Sequence, residues 1–451
     1  MAQTTLRFSK EHDMSSPSLD TTRAPVLTDA QAERALYRKL TWRLIPFFCL
    51  CYFSAYLDRV NVGLAKLQML DALKFSDTVY GLGAGLFFVG YILFEVPSNL
   101  ILQKVGAKLW IARIMVTWGI LSGLTMFVTT PTQFYVLRFL LGVAEAGFLP
   151  GVLLYLTNWF PDARRSKIIA LFMMGLPLSS LVGGPLSGWI VTFFDGLHGW
   201  QGWQWLFGLE ALPSIFLGVL VFFYLPNTPD TAKFLDHDER ARLKLDLAGE
   251  AHGGKRHRLM DAFTDPKVWA LGLIDLCVLL GTYAISFWMP TMLRDSGVHS
   301  ALTIGMLTAI PNALAVVMML VTGASSDKFR ERRWHIVVPF ACTAFGLIAS
   351  TFFTGSTAAL VILLSIANAG VAAAMPVVWA LPSTFLTGTA AAAGIAFACS
   401  IANLGGFAST YVIGWLKDWT HSMSAGLIVF GVCMFFGCVL ALAMPKHIVN
   451  R

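Results

Sequence analysis

Long apolar runs separated by short polar loops make up most of the chain. A helix needs about 20 mainly apolar residues to cross a bilayer, because the hydrocarbon is about 30 Å thick and each helical residue rises about 1.5 Å. We predict twelve such spans, at residues 43–65, 80–103, 109–130, 133–157, 167–194, 204–225, 268–291, 302–322, 334–354, 357–380, 388–413 and 423–444. The pattern therefore predicts an all-α, polytopic membrane protein.

The composition supports this class. Of the 451 residues, 56% are hydrophobic and 13% are charged, whereas soluble domains average about 25% charged residues. A transmembrane β-barrel would show alternating segments of about ten residues, and the sequence has none. All seven cysteines fall inside predicted spans, so we expect neither a disulfide framework nor a Cys/His metal site.

One long polar interruption divides the spans into six and six. It contains "DHDERARLKLDLAGEAHGGKRHRL" and is interpreted as a solvated surface helix followed by a flexible Gly-Gly pair rather than as a binding module. The predicted organisation is a cytoplasmic tail and lead-in helix, a first six-helix bundle, a cytoplasmic linker, a second six-helix bundle and a short tail, at residues 1–42, 43–226, 227–266, 267–445 and 446–451.

The two halves resemble each other. "LVGGPLSGW" in the fifth span is similar to "NLGGFASTYVIGW" in the eleventh, and "GVAEAG" in the fourth is similar to "SIANAG" in the tenth. Gly183 corresponds to Gly405, Glu145 to Asn368 and Gly188 to Gly414, a shift of 222 to 226 residues. A nearly constant shift of half the chain indicates a duplicated six-helix unit, as in many secondary transporters.

Basic residues lie on one side of the predicted membrane. Arg34, Arg38, Lys39 and Arg43 precede the first span, and the loops "PDARRSK" and "SSDKFRERR" lie on the same side. The opposite loops "TTPTQ", "DGLHGWQGW" and "TGST" contain no Lys or Arg. The positive-inside rule then places both termini in the cytoplasm. This bias explains the net charge of +7 without nucleic acid as a partner.

Four charged residues occupy the interior of predicted spans. Asp58 and Arg59 are adjacent in the first span, and Arg138 and Glu145 lie two helical turns apart in the fourth. Their charges sum to zero. Ionisable residues within spans usually face the protein interior and mark a pathway, so we interpret the cluster as a transport site. The alternative is a structural network of buried ion pairs.

Such a cluster can couple a proton to an anion. A guanidinium binds a carboxylate through two parallel hydrogen bonds, whether the carboxylate belongs to the protein or to a substrate. When a buried carboxylate takes up a proton, its arginine partner becomes free to hold an incoming anion. Glu95 and Glu210 are interpreted as packing residues, and the sequence assigns no role to Asp275.

The second half has neutral groups where the first has charges. The repeat carries Asp58 and Arg59 onto Thr282 and Tyr283. We therefore expect the first bundle to handle the proton and the carboxylate, and the second to shape the rest of the ligand site. The candidates in the second half are Tyr283, Trp379 and Asn403, each of which also fits core packing.

The loop "GASSDKFRERR" after the eighth span offers a candidate gate. Asp327 follows Gly323 by four residues and precedes a basic run. This spacing lets its carboxylate meet a neighbouring helix end or an arginine on the cytoplasmic face. The alternative is that these residues only set the topology.

Several motifs carry a family resemblance. "YLDRVNVG", "GYILFEVPSN", "RFLLGVAEAGFLPG", "YLTNWFP", "YAISFWMPTML" and "GTAAAAGIAFACSIANLGGF" resemble, in order, the anion:cation symporter family of the major facilitator superfamily. The likeness is to bacterial permeases for tartrate, hydroxyphenylacetate and phthalate. It implies uptake of organic carboxylates with protons by alternating access, across the bacterial inner membrane.

The resemblance also implies residue roles. Asp58 and Glu145 match the proton-coupling carboxylates, Arg59 the ligand of the substrate carboxylate, and Arg138 the partner of the glutamate in the fourth span. Tyr56 and Tyr91 match residues that line the site, and Asn403 matches a polar contact from the eleventh span. No cofactor is implied, since H⁺ is the coupling ion. The expected partners are a small organic anion, protons and membrane lipid, and the expected functional unit is a monomer.

Two positions depart from the family pattern. Gln103 stands where an aspartate is usual in the first cytoplasmic hairpin, which weakens the case for a gate salt bridge there. Leu176 stands where relatives that carry sugar acids have a polar residue. The second departure favours a tartrate-like dicarboxylate or an aromatic acid over a galactonate-type sugar acid.

Two other functional classes compete with uptake. A drug or metabolite exporter could use the same scaffold, although exporters of cations favour unpaired acids over two arginines. A membrane enzyme would need a nucleophile with a nearby base or a helical H-E-x-x-H metal motif, and the sequence shows neither. We therefore do not expect an enzyme.

Overall fold

The computed structural model of the protein describes residues 29–248, 265–381 and 388–445. The predicted tail up to residue 28, the centre of the linker and the predicted C-terminal tail lie outside these residues. The first half consists of α1 (Asp29–Val60), α2 (Val62–Leu73), α3 (Asp77–Val105), α4 (Ala107–Leu124), α5 (Pro131–Glu145), α6 (Phe148–Thr157), α7 (Asp162–Met173), α8 (Gly175–Phe193) and α9 (Gly202–Tyr224).

The second half follows the linker helix α10 (His237–Ala248). It consists of α11 (Pro266–Asp295), α12 (Ala301–Phe329), α13 (Trp334–Ser350), α14 (Thr357–Ala380), α15 (Gly388–Thr420) and α16 (Ser424–Ala443). Within the described ranges, eleven helices are long and apolar enough to cross a membrane, and Trp334–Ser350 is a shorter apolar helix. The predicted all-α, polytopic fold is therefore confirmed.

The first span is longer than its hydrophobic pattern indicates. Helical residues run from Gln31 to Leu73, broken only at Asn61 between α1 and α2. The extension at the far end includes Lys66, which is 2% exposed and lies beside Asp77 at the start of α3. A paired, buried lysine can continue a span that a hydropathy pattern ends at residue 65.

The fourth span is broken in the membrane. The helix α5 ends at Glu145, and α6 resumes at Phe148. Gly147 between them has a φ of +87°, in the left-handed region, where glycine pays no steric penalty. A Cβ atom at this position would also lie 2.4 Å from the Ser98 hydroxyl. The break leaves Glu145 at a helix end in the protein interior.

The two halves meet most closely at one end of the molecule. We call the end that carries α10 the linker side, and the opposite end, at Leu73 and Asp295, the far side. Contacts between the halves run along α3 and α15, α8 and α12, and α2 and α11. Near the far side, Cβ atoms at Gly188 and Gly414 would lie 2.7 Å from the Ala301 carbonyl oxygen and 2.3 Å from that of Asp77. The helices are therefore in backbone contact there, as small residues allow in membrane bundles.

The linker helix α10 lies against the first half. Lys39 Nζ pairs with Glu239 Oε2 at 2.7 Å, and Arg242 Nη1 pairs with Asp29 Oδ1 at 2.6 Å. The Tyr37 hydroxyl donates a hydrogen bond to Asp246 Oδ2 at 2.7 Å, and Leu243 is fully buried. The linker helix is thus attached to the start of α1.

Candidate functional site

Arg59 joins the two bundles at the centre of the molecule. Its Nη2 forms an ion pair with Glu145 Oε1 of α5, and its Nη1 donates a hydrogen bond to the Tyr283 hydroxyl of α11 at 2.7 Å. The side chains of Arg59 and Glu145 are 12% and 4% exposed. One guanidinium therefore contacts a carboxylate of the first bundle and a phenol of the second, and it remains partly accessible.

This contact joins equivalent positions of the internal repeat. The sequence shift carries Arg59 onto Tyr283, and the structure places the two side chains against each other. A cation in one repeat thus faces a neutral hydrogen-bonding group at the matching position of the other.

Aromatic rings surround the guanidinium. The Arg59 Cζ atom lies 5.1 Å from the centroid of the Phe87 ring and 5.5 Å from that of Tyr91. Such distances allow cation–π attraction. One turn before Arg59, the Tyr56 hydroxyl lies 3.5 Å from that of Ser286. Tyr91 therefore lies beside the Arg59 guanidinium, whereas Tyr56 lies about one helical turn away and faces Ser286.

Asp58 points away from Arg59 into the first bundle. The Ser214 hydroxyl donates to its Oδ2 at 2.5 Å, the Ser122 hydroxyl to its Oδ1 at 2.9 Å, and the Trp118 indole to its Oδ2 at 3.2 Å. All three donors are neutral, and Asp58 is 1% exposed. Adjacent helical residues differ by about 100° in direction, which explains how neighbours in sequence come to occupy separate environments.

Arg138 does not form the ion pair with Glu145 that the resemblance implied, because Arg59 takes that place. Arg138 is fully buried, and its Nη2 lies 3.4 Å from the Arg59 carbonyl oxygen. Its Nε and Nη1 atoms have no hydrogen-bond partner among the described residues. Seven residues return a helix to the same face but two turns away, so Arg138 reaches the backbone of α1 while Glu145 reaches the Arg59 side chain.

The other predicted residues lie away from Arg59. Trp379 is 37% exposed and its side chain contacts Asp275, whereas the Asn403 amide donates to the Cys399 carbonyl of its own helix at 3.0 Å. Asp327 is exposed at the linker-side end of α12, and its side chain has no ion pair within the described residues. The roles of these three residues stay predictions.

The sequence did not single out a set of neutral groups beside the site. The Asn312 amide donates to the Ser180 carbonyl at 2.9 Å and its oxygen accepts from the Asn368 amide at 2.9 Å. Asn312 and Ser180 border a cavity of about 50 Å³ between the bundles. Asparagine side chains are uncommon in membrane spans, so Asn312 and Asn368 could have been found from the sequence. A search for charged residues alone does not select them.

A charge network at the far side was also missed. Lys66 Nζ lies 2.5 Å from Asp77 Oδ1 and 3.7 Å from the centroid of the Trp288 ring. Lys417 Nζ lies 3.5 Å from Asp77 Oδ2 and 3.2 Å from Asp295 Oδ2. Asp77 belongs to the first bundle, whereas Trp288, Asp295 and Lys417 belong to the second. The network therefore holds the bundles together at this end.

The described part of the chain contains no group of three His, Cys, Asp or Glu side chains that could hold a metal ion. The site is instead built from one accessible guanidinium, buried carboxylates and aromatic hydroxyls. Two six-helix bundles around such a centre define a membrane transporter.

The chain belongs to the Major Facilitator Superfamily, whose sequence model matches residues 48–410. A Pseudomonas putida protein provisionally named metabolite transport protein NicT is 59% identical over 420 residues, covering 93% of this chain and 96% of the relative. An Agrobacterium vitis protein provisionally named a tartrate transporter is 46% identical over 427 residues, covering 93% and 94%. A quinolone resistance transporter of Acinetobacter baumannii is 39% identical over 411 residues, covering 90% and 94%.

Solved structures show the same fold. A bacterial homologue of the human lysosomal transporter Spinster superposes with a TM-score of 0.73 at 15% identity, covering 90% of this chain and 96% of that structure. The predicted superfamily and its two-bundle architecture are therefore confirmed. The protein is a multi-pass membrane transporter.

Proposed function

We propose that the protein takes up an organic carboxylate together with protons by alternating access across the bacterial inner membrane. The observation that carries the proposal is the position of Arg59, which is shared between Glu145 and Tyr283 and is accessible between the bundles. The names of the relatives that concern tartrate and metabolite transport support the substrate class.

Competition for the guanidinium provides the coupling. Glu145 occupies one side of the Arg59 fork in this structure. A substrate carboxylate can replace it only if the buried Glu145 loses its charge, because an unpaired carboxylate is costly in a membrane interior. A proton taken up by Glu145 therefore accompanies an anion bound by Arg59.

Tyr283 connects binding to movement of the bundles. The Arg59–Tyr283 hydrogen bond crosses from the first bundle to the second. A carboxylate on Arg59 can also accept a hydrogen bond from this phenol, so the ligand is held from both sides. The described contacts between the bundles close the far side, and the basic residues predict that the linker side faces the cytoplasm.

The lining of the site favours compact or aromatic acids. Phe87 and Tyr91 flank the guanidinium, and an aromatic ring can stack on such a surface. The proposed substrate is therefore a tartrate-like dicarboxylate or an aromatic acid, with a galactonate-type sugar acid as the alternative.

Uptake into proteoliposomes tests this function. Tartrate, galactonate, hydroxyphenylacetate and phthalate would be supplied at equal concentration, with an imposed pH gradient and with or without a protonophore. We expect at least one acid to accumulate only while the gradient persists. Absence of gradient-driven uptake for acids that bind the protein would contradict proton symport.

A second candidate function is export of a drug or metabolite, favoured by the similarity to the quinolone resistance transporter. Quinolones carry a carboxylate, so Arg59 could bind one in either direction of transport. Expression that lowers the cellular content of a quinolone and leaves acid uptake unchanged would support export and overturn the uptake proposal.

A further inference from the structure

Glu210 is a second buried carboxylate that the coupling scheme above does not use. It lies in α9, is 2% exposed, and its Oε1 accepts a hydrogen bond from the Ser187 hydroxyl at 2.6 Å. Its Oε2 has no partner among the described residues, and no Lys, Arg or His of those residues forms an ion pair with it. An ionised carboxylate buried without a cation is strongly disfavoured. We therefore expect the neutral, protonated form of Glu210 to be favoured.

Two polar side chains, those of Ser214 and Asn61, lie near both Glu210 and Asp58, and neither forms a hydrogen bond with Glu210 in this structure. Ser214 lies four residues after Glu210 on α9, so the two share a face. The Ser214 hydroxyl donates to Asp58 Oδ2 at 2.5 Å. Asn61, three residues after Asp58 on the first span, is 2% exposed and places its side chain beside the Glu210 carboxyl.

The same carboxyl adjoins the space between the bundles. Ser187 and Asn61 border the cavity of about 50 Å³ described above. That volume can hold about three water molecules, since one water needs about 15 Å³ of such space. Glu210 thus lies between the cavity and Asp58. The Ser187 hydroxyl is on the cavity side and the Ser214 hydroxyl is on the Asp58 side.

The depth of Glu210 in the predicted membrane suits a proton relay that begins at the far side. The helix α9 begins at Gly202 on the far side, so Glu210 lies about one turn nearer that side than Ser214 and Asp58. The groups from Ser187 to Asp58 belong to α8, α9 and the first span, all in the first bundle. The path can therefore persist when the bundles move relative to each other.

We propose that Glu210 is a proton-relay residue that passes protons between the far side and Asp58. In the transfer, the Glu210 carboxyl turns toward Ser214, its O–H bond breaks as the Ser214 oxygen accepts that proton, and Ser214 gives its own hydroxyl proton to an Asp58 carboxylate. An O–H bond forms at Asp58 and the negative charge moves to Glu210. A hydronium ion that reaches the cavity then gives a proton to the Ser187 oxygen and leaves as water, and Ser187 passes its own hydroxyl proton to Glu210.

Charged groups near the path are few. Asp58 is the ionisable residue whose field reaches Glu210, and the elements packed around the two carboxyls otherwise present the neutral groups Ser187, Asn61, Ser122 and Trp118. Glu145 and Arg59 lie beyond Asp58, on the side of the transport site. A negative charge on Asp58 discourages a second charge on Glu210, so a single proton is passed along the pair.

Variants in proteoliposomes test the relay, which rests on the proposed function. We would measure net uptake driven by an inward proton gradient and, separately, exchange of labelled for unlabelled substrate at equal pH. Glu210→Gln is expected to slow net uptake about tenfold or more, in the range typical for loss of a proton-transferring group, and to leave exchange within about twofold. Ser187→Ala is expected to give a smaller loss of net uptake, and Glu210→Asp to restore part of it.

The matched control is Ser350→Ala. Ser350 is also a buried serine, but it donates only to the Leu347 carbonyl within the second bundle, so net uptake and exchange are both expected to stay unchanged. Equal losses of net uptake and exchange in Glu210→Gln would indicate a packing role and overturn the relay. Unchanged net uptake would overturn it as well. If the unaltered protein shows exchange but no gradient-driven uptake, the proposed function itself fails.

Discussion

At the residue scale, the central feature is that Asp58 and Arg59 have different partners. Three neutral donors hold Asp58 inside the first bundle, whereas Arg59 faces Glu145 and Tyr283. The angle of about 100° between adjacent helical residues accounts for this separation. The family resemblance implied Arg138 as the partner of Glu145, whereas the structure gives Arg59, because helical spacing defines a face of the helix and not the depth at which α5 ends.

The first prediction concerns Glu145. Replacing it with Gln removes a titratable group and leaves Arg59 without its carboxylate partner. We expect Glu145→Gln to retain substrate exchange and to lose accumulation against a gradient, because Arg59 stays free to bind the anion at every pH. Exchange and accumulation in proteoliposomes would be compared with those of Ser350→Ala. Accumulation at the level of the unaltered protein would show that Glu145 does not carry the coupled proton.

The second prediction concerns the shape of the Arg59 side chain. Lysine keeps the charge but lacks the planar fork that contacts Glu145 and Tyr283 together. We expect Arg59→Lys to raise the KM for the acid about tenfold, the effect of losing about 1.4 kcal/mol of binding. Initial uptake rates over a range of substrate concentrations measure this. An unchanged KM would mean that a point charge suffices and that the acid does not bind through two parallel hydrogen bonds.

At the scale of helices, the sequence predicted the spans well and their ends poorly. The apolar runs gave all six spans of each half, but Lys66 fell outside the predicted first span, and the break after Glu145 was not expected. In both cases tertiary partners decide the outcome. Asp77 neutralises the lysine, and Ser98 of α3 packs closely against Gly147. A hydropathy profile carries no information about either contact.

Close helix packing gives the third prediction. A Cβ atom at Gly142 of α5 would lie 1.9 Å from the Phe87 carbonyl oxygen of α3. Gly142→Leu therefore forces the helices apart, and we expect a loss of about 1–3 kcal/mol of stability, as for other overpacked cores. Thermal unfolding in detergent measures this. Gly355→Leu is the matched control, because a Cβ at Gly355 meets nothing within 4 Å. Equal melting temperatures for the two variants would contradict the packing argument.

The far-side charge network gives the fourth prediction. Asp77→Asn leaves Lys66 buried without its carboxylate, which is costly, and also weakens the contact with Lys417. We expect the far side to open more often. A cysteine introduced at Ser286, in a variant without the native cysteines, should then react faster with a membrane-impermeant thiol reagent added from that side.

The control for this experiment is Asp71→Asn. Asp71 pairs with Arg294 at 2.6 Å but is 70% exposed, and exposed ion pairs contribute little. We expect the cysteine at position 286 to be labelled in the Asp71→Asn variant at close to the rate measured with Asp71 in place. Equal acceleration in both variants would show that buried Lys66 has no special part in closure.

At the scale of the whole molecule, the linker helix is attached to the first bundle. Its ion pairs reach Asp29 and Lys39, and the hydrogen bond that Arg242 donates to Asp29 raises the pKa of Arg242 above its ordinary value. The sequence predicted a solvated helix in this region. It could not predict where the helix docks, because the complementary charges lie about 200 residues apart in the chain.

The fifth prediction follows from this docking. Arg242→Glu places a like charge beside Asp29 and Glu33, so we expect α10 to detach and its amide hydrogens to exchange faster, by about tenfold. Hydrogen exchange followed by mass spectrometry would measure the change. Lys244→Glu is the control, because Lys244 pairs only locally with Asp230. Unchanged exchange in Arg242→Glu would mean that Leu243 alone holds the helix.

The position of the far-side network has a consequence for the environment of the cell. The side chains of Lys417 and Asp295 in this network are 19% and 49% exposed, and dissolved ions screen charges over about 8 Å at physiological salt and about 30 Å in dilute water. With the far side outside the cell, as the basic residues predict, we expect external salinity to affect the proposed transport cycle together with substrate and proton concentration. In fresh water the closed far side should be held more firmly than in brine, and the turnover rate should change with the medium even when the acid and the pH do not.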